Sequence, residues 1–129
     1  MRNSRDLVKN FEAFCKYVGG NFNQDIFPRC SKLSFSIVLE FVEREEYFEK
    51  LSIKIESTSG DYEVLKLENV KILDIERFSE EGARGSFEYY TLRISTDKGT
   101  IFLRRSIRED KLIISYRGEG ISYESSIVF

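Results

Sequence analysis

The sequence predicts an α+β domain, with an N-terminal helix packed on a curved, mostly antiparallel sheet of seven or eight strands that curls toward a partly closed barrel. Three observations predict it. Apolar residues recur at helical spacing near the N-terminus, hydrophobicity then alternates with a period of two, and short turn-forming segments separate the alternating runs.

The helix is expected over about residues 4–18. Leu7, Phe11, Phe14, Cys15 and Val18 share one face, while Arg5, Lys9, Glu12 and Lys16 fall largely on the other. Asn3 or Ser4 is a suitable cap, Asp6 favours the first turn, and Gly19-Gly20 is a stop signal. A polar connection containing Pro28 follows. The β-meander is then expected from about residue 33 to 129. In LSFSIVLEF, Leu33, Phe35, Ile37, Leu39 and Phe41 point one way and Ser34, Ser36, Val38 and Glu40 the other. The alternation continues in LSIKIES, YEVLKLE, VKILDIERF, FEYYTLRIST, TIFLRRSI, KLIISYR and ISYESSIVF. Ser59-Gly60-Asp61, Asp97-Lys98-Gly99, Arg108-Glu109-Asp110 and Gly118-Glu119-Gly120 lie between these runs and suggest hairpins.

No linker, low-complexity tract or repeat divides the chain, so its 129 residues are read as one domain. A hydrophobic share of 41%, with 11 Phe and 7 Tyr, suits an ordered globular chain. The net charge of -2 supplies no overall attraction to nucleic acid or to an anionic membrane. Neither is expected as a partner. No signal peptide or transmembrane span is expected, and a cytoplasmic location follows. Cys15 and Cys30 are compatible with one disulfide, but that location favours reduced thiols.

The chain has no histidine, which removes the usual Ser-His-Asp, Cys-His and histidine-zinc machinery. No catalytic residue, metal ligand or cofactor is expected. SEEGARGSFEYY, residues 79–90, places two glycines around an arginine, but it follows one strand and precedes another. A phosphate loop needs a helix N-terminus at the anion, so Gly82 and Gly85 are read as hairpin residues. Paired carboxylates for glycoside hydrolysis cannot be singled out among 22 acidic residues.

Two local charge clusters remain as candidate partner sites. The acidic one comprises Glu43, Glu45, Glu46, Tyr47, Phe48 and Glu49, with apolar anchors among carboxylates, a pattern suited to a basic toxin or nuclease surface. The other is a basic-aromatic patch of Tyr89, Tyr90, Arg93, Arg104, Arg105 and Arg108, whose plainest reading is a solvated sheet face with cross-strand pairs to Glu88, Glu109 and Glu124. Arginine and tyrosine are also the residue types enriched at protein interfaces.

With a helix followed by acidic, Phe-rich strands and no catalytic set, the chain resembles the small immunity-type proteins with which bacteria neutralise toxin domains. The resemblance implies a non-enzymatic protein, a monomer or weak dimer, that binds and blocks a toxin. It carries over no binding residue. The alternative is a small apolar ligand held between sheet and helix, with some of the Phe residues as its lining.

Overall fold

The computed structural model describes residues 4–25, 27–32, 35–44, 47–57, 62–81 and 87–128. Helix α1 spans Ser4–Tyr17, and ten strands follow: β1 (Asn21–Asn23), β2 (Arg29–Lys32), β3 (Phe35–Arg44), β4 (Tyr47–Ser57), β5 (Tyr62–Val70), β6 (Ile72–Glu81), β7 (Phe87–Thr96), β8 (Thr100–Ser106), β9 (Lys111–Gly118) and β10 (Ile121–Val128). The fold class is α+β. In place of a single sheet of seven or eight strands there are two five-stranded antiparallel sheets, ordered β1-β2-β3-β4-β5 and β10-β9-β8-β7-β6. Among the described residues no strand pair closes either sheet into a barrel.

The helix forms and stops where its sequence directs. Leu7, Val8, Phe11, Phe14, Cys15 and Val18 are all buried. Gly19 takes φ 79°, and the amides of Gly19 and Gly20 donate to the carbonyls of Lys16 and Cys15 at 3.1 and 2.9 Å. This Schellman pattern satisfies carbonyls that the helix end would otherwise orphan. Lys32 Nζ reaches back from β2 to donate to Val18 O at 2.9 Å.

Cys15 and Cys30 are joined in a disulfide, which corrects the expectation of reduced thiols. The bond fastens the last turn of α1 to β2, and both residues are wholly buried. Gly20 is part of this junction: a Cβ there would meet Cys30 Sγ at 2.9 Å and Cys15 Sγ at 3.1 Å.

Strands β1 and β2 were not expected, because their sequences, NFN and RCSK, are short and carry no apolar alternation. They pair with each other, and β2 continues onto β3. The eight expected runs correspond to β3 to β10. Val38, expected on the polar face of β3, is buried along with Ile37 and Leu39. Leu33 and Ser34, and the turn at Ser59, Gly60 and Asp61, lie outside the described residues.

Lys71 alone separates β5 from β6, so the chain passes directly from one sheet to the other. Its amide donates to Asp97 Oδ1 at 2.8 Å, and the Asp97 amide donates to Lys71 O at 3.1 Å. The crossover is thereby latched to the β7–β8 turn. Buried residues of α1 and of both sheets, including Cys30, Ile37, Leu39, Val70, Ile75, Leu92, Leu103 and Ile114, form a single cluster. Among the described residues no helix is long and apolar enough to cross a membrane.

Residues 82–86 of the glycine-containing stretch lie outside the described residues. The flanking strands β6 and β7 pair antiparallel as far as Glu81 and Phe87, so the stretch connects a hairpin.

Candidate functional site

Alternation on β7 sends Leu92 and Ile94 into the core and leaves Tyr89, Thr91 and Arg93 on the opposite, outer face of the second sheet. The strand registers then align residues from neighbouring strands into rows across that face. Glu76, Arg93, Phe102, Ser115 and Glu124 form one row, and Phe78, Thr91, Arg104, Ile113 and Ser126 form the next. Glu80, Tyr89 and Ser106 continue the grid.

The grid is held by charge-assisted contacts. Arg93 Nη2 donates to Glu76 Oε2, and its guanidinium carbon lies 5.7 Å from the centre of the Phe78 ring. Arg104 Nε donates to Glu80 Oε2 at 2.8 Å, and its guanidinium carbon lies 4.8 Å from the centre of the Phe102 ring. Each arginine is thus a cation over an aromatic face, oriented by a carboxylate. Beneath them Thr91 is wholly buried, its hydroxyl donating to the same Glu80 oxygen at 2.9 Å. Arg93 Nε and Ser115 Oγ, on either side of Phe102 in the first row, are buried without a hydrogen-bond partner among the described residues.

The expected basic-aromatic patch is divided among three environments. Tyr89, Arg93 and Arg104 share the outer face. Tyr90 belongs to the inner side, where its ring stacks on Tyr17 with centroids 3.7 Å apart and its hydroxyl accepts from Arg77 Nη1 at 2.8 Å. Arg105 organises the β8–β9 turn: Nη1 donates to the carbonyls of Ser106 and Glu109 at 2.7 and 3.0 Å, and Nη2 pairs with Asp110 at 2.7 Å. Arg108 is exposed in that turn.

The carboxylate partners also differ from the expected set. Arg93 and Arg104 use Glu76 and Glu80, and Glu109 pairs with Lys111 at 2.6 Å, which raises the Lys111 pKa from its ordinary value. The side chain of Glu88 lies outside the described residues. Among the grid members that sequence reasoning missed are Glu76, Phe78, Glu80 and Phe102, which contact the two arginines. The spacing of Phe102 and Arg104 signals a shared strand face, whereas the β6 contribution depends on a bulge between Ile72 and Asp74 that resets its register.

For the acidic cluster, the backbone of β3 and β4 pairs Glu43 with Phe48, Arg44 with Tyr47 and Val42 with Glu49. Glu45 and Glu46, and the side chains of Glu43, Tyr47, Phe48 and Glu49, lie outside the described residues.

A shallow groove of about 460 Å³ runs beside α1, lined by Asn10, Glu76, Arg77, Phe78, Ser79 and Tyr90. Asn10 Nδ2 donates to Ile75 O at 2.7 Å. Among the described residues no three acidic or thiol side chains converge as a metal site requires. In comparisons with known proteins, no family model, no curated protein and no solved structure gives a significant match to this chain.

Proposed function

We propose that this chain is a non-enzymatic protein-binding module that captures its partner on the outer face of the second sheet, and that the partner is a toxin domain which it blocks. The observation that carries the interface is the pair of arginines laid over Phe78 and Phe102 and oriented by Glu76 and Glu80. Arginine and aromatic side chains dominate binding energy at protein interfaces. Here their rotamers are already held, so less side-chain entropy is lost on docking. Arg104 engages Glu80 through Nε, and among the described residues its terminal donors remain for carboxylate or main-chain carbonyl acceptors on the facing protein.

The toxin-blocking role rests on the resemblance in general build. A small apolar ligand has less support, because Phe11 and Phe14 are core residues and most of the groove lining is polar. The cytoplasmic location expected from the sequence stands against the Cys15–Cys30 bond, since structural disulfides persist chiefly in oxidising compartments. We assign the chain to an oxidising compartment.

Affinity capture from the producing cell, with mass spectrometry of the captured protein, tests the reading through two variants. Phe102→Ala/Arg104→Ala removes the centre of the grid, and Glu45→Lys/Glu46→Lys reverses the acidic cluster. The partner should be lost from the first and retained by the second, with both variants folded by circular dichroism. Retention by the first and loss from the second moves the interface to the acidic cluster. Turnover of a substrate by the isolated chain overturns the non-enzymatic reading.

A further inference from the structure

The two edges of the second sheet are treated differently. Along β6, helix α1 packs against the edge strand and Asn10 satisfies the Ile75 carbonyl. At the other edge, β10 pairs only with β9 among the described strands. The β9–β10 hairpin closes at Gly118 and Ile121 through a two-residue turn with φ 49° at Glu119 and 78° at Gly120. In such a hairpin the closing pair is hydrogen-bonded and the pairs alternate thereafter. Ile121, Tyr123, Ser125 and Ile127 therefore direct their backbone groups at β9. Ser122, Glu124, Ser126 and Val128 direct theirs away from the sheet, and all of them are exposed.

Of the devices that blunt a free edge, β10 carries only one charged side chain, that of Glu124. The strand contains no proline, lysine or arginine, its pairing with β9 has no bulge, and Ile121 and Val128 are 61% and 72% exposed. Soluble proteins ordinarily protect a free edge with one of those devices, because exposed backbone donors and acceptors recruit another strand. We propose that the free edge of β10 binds a second copy of this chain, antiparallel and about a two-fold axis at Ser125.

The strand is self-complementary in that register. A two-fold axis normal to the sheet pairs residues of the same face, so partner positions sum to an even number. Centring on Ser125 sets Glu124 against Ser126, Ser122 against Val128, and Tyr123 against Ile127, with no like charges opposed. Centring on Glu124 would instead set its carboxylate against its own copy, which is unfavourable. The registers centred on Glu124 and on Ser125 give the longest overlap of β10 with its copy, and Glu124, its only charged residue, decides between them in favour of Ser125. The product is a continuous ten-stranded sheet carrying two outer-face grids side by side.

Sedimentation equilibrium over a concentration series tests this. The wild-type chain should self-associate to a dimer. Ser126→Glu places carboxylates opposite Glu124 at both symmetry-related pairs and should weaken the dimer about tenfold, whereas Ser126→Lys should strengthen it. Both leave the melting temperature of the dilute protein unchanged, since Ser126 is exposed. Oxidation of Ser125→Cys should give a covalent dimer, because a non-hydrogen-bonded pair at the axis brings its Cα atoms to about 4.5 Å, within disulfide reach. Ser126→Cys, which does not face its own copy, should not. A wild-type chain that stays monomeric at high concentration, equal effects of the Glu and Lys variants, or a Ser125→Cys thiol that stays free would each overturn the proposal.

Discussion

Thr91 illustrates how one residue couples the surface grid to the body of the sheet. It is wholly buried, yet it lies on the outer face, sealed beneath Glu80 and Arg104. Glu80 thus accepts from a buried hydroxyl and from a partly exposed guanidinium at once. Glu80→Ala leaves the hydroxyl unsatisfied, which is worth about 1–3 kcal/mol, whereas the Arg104 ion pair by itself contributes at most about 1 kcal/mol at this exposure. Most of the loss should therefore belong to Thr91. In urea titrations, Glu80→Ala/Thr91→Val should recover a large part of the stability lost in Glu80→Ala. A double variant no more stable than the single one would show that the hydroxyl bond contributes little.

At the scale of elements, the end of α1 is the most heavily fastened point in the described structure. The Schellman turn, the Lys32 bond to Val18 and the Cys15–Cys30 bond converge within a few residues. The disulfide closes a loop of sequence separation 15, for which loop entropy predicts about 3 kcal/mol of stabilisation. Cys15→Ala/Cys30→Ala should lose about that amount in denaturant unfolding, and reduction of the wild-type chain should approach the same value. Alkylation of both thiols in the native, unreduced protein would contradict the bond. Gly20→Ala tests the same junction sterically, since the added methyl meets both sulfur atoms.

For the whole molecule, a single buried cluster joins α1 to the inner faces of both sheets, and one residue, Lys71, links those sheets along the chain. The two sheets are therefore expected to unfold together despite their separate hydrogen-bond ladders. Thermal transitions followed by far-ultraviolet circular dichroism and by tyrosine absorbance should coincide. Tyrosines lie in both sheets, Tyr47 and Tyr62 in the first and Tyr89, Tyr90, Tyr116 and Tyr123 in the second, so two separate tyrosine transitions would show the sheets to be independent units.

Local pattern determined the helix and strands β3 to β10. The stripe from Leu7 to Val18 and the period-two runs from Phe35 onward need only the geometry of one element to be read, and Gly19-Gly20 and Glu119-Gly120 mark ends that backbone conformation dictates. The partition into two sheets depended on Lys71 and Asp97, which lie far apart in the chain and meet only once β6 and β7 have paired. The same holds for the candidate site. Tyr89 and Tyr90 are neighbours in sequence but occupy opposite faces, whereas Glu80 and Arg104 are 24 residues apart and touch. Side-chain alternation divides what is adjacent, and strand register, set by turns and by the bulge near Ile72, brings together what is distant. Cys15 and Cys30 meet for the same reason: their bond requires the end of α1 to lie across β2, a packing that neither segment encodes alone.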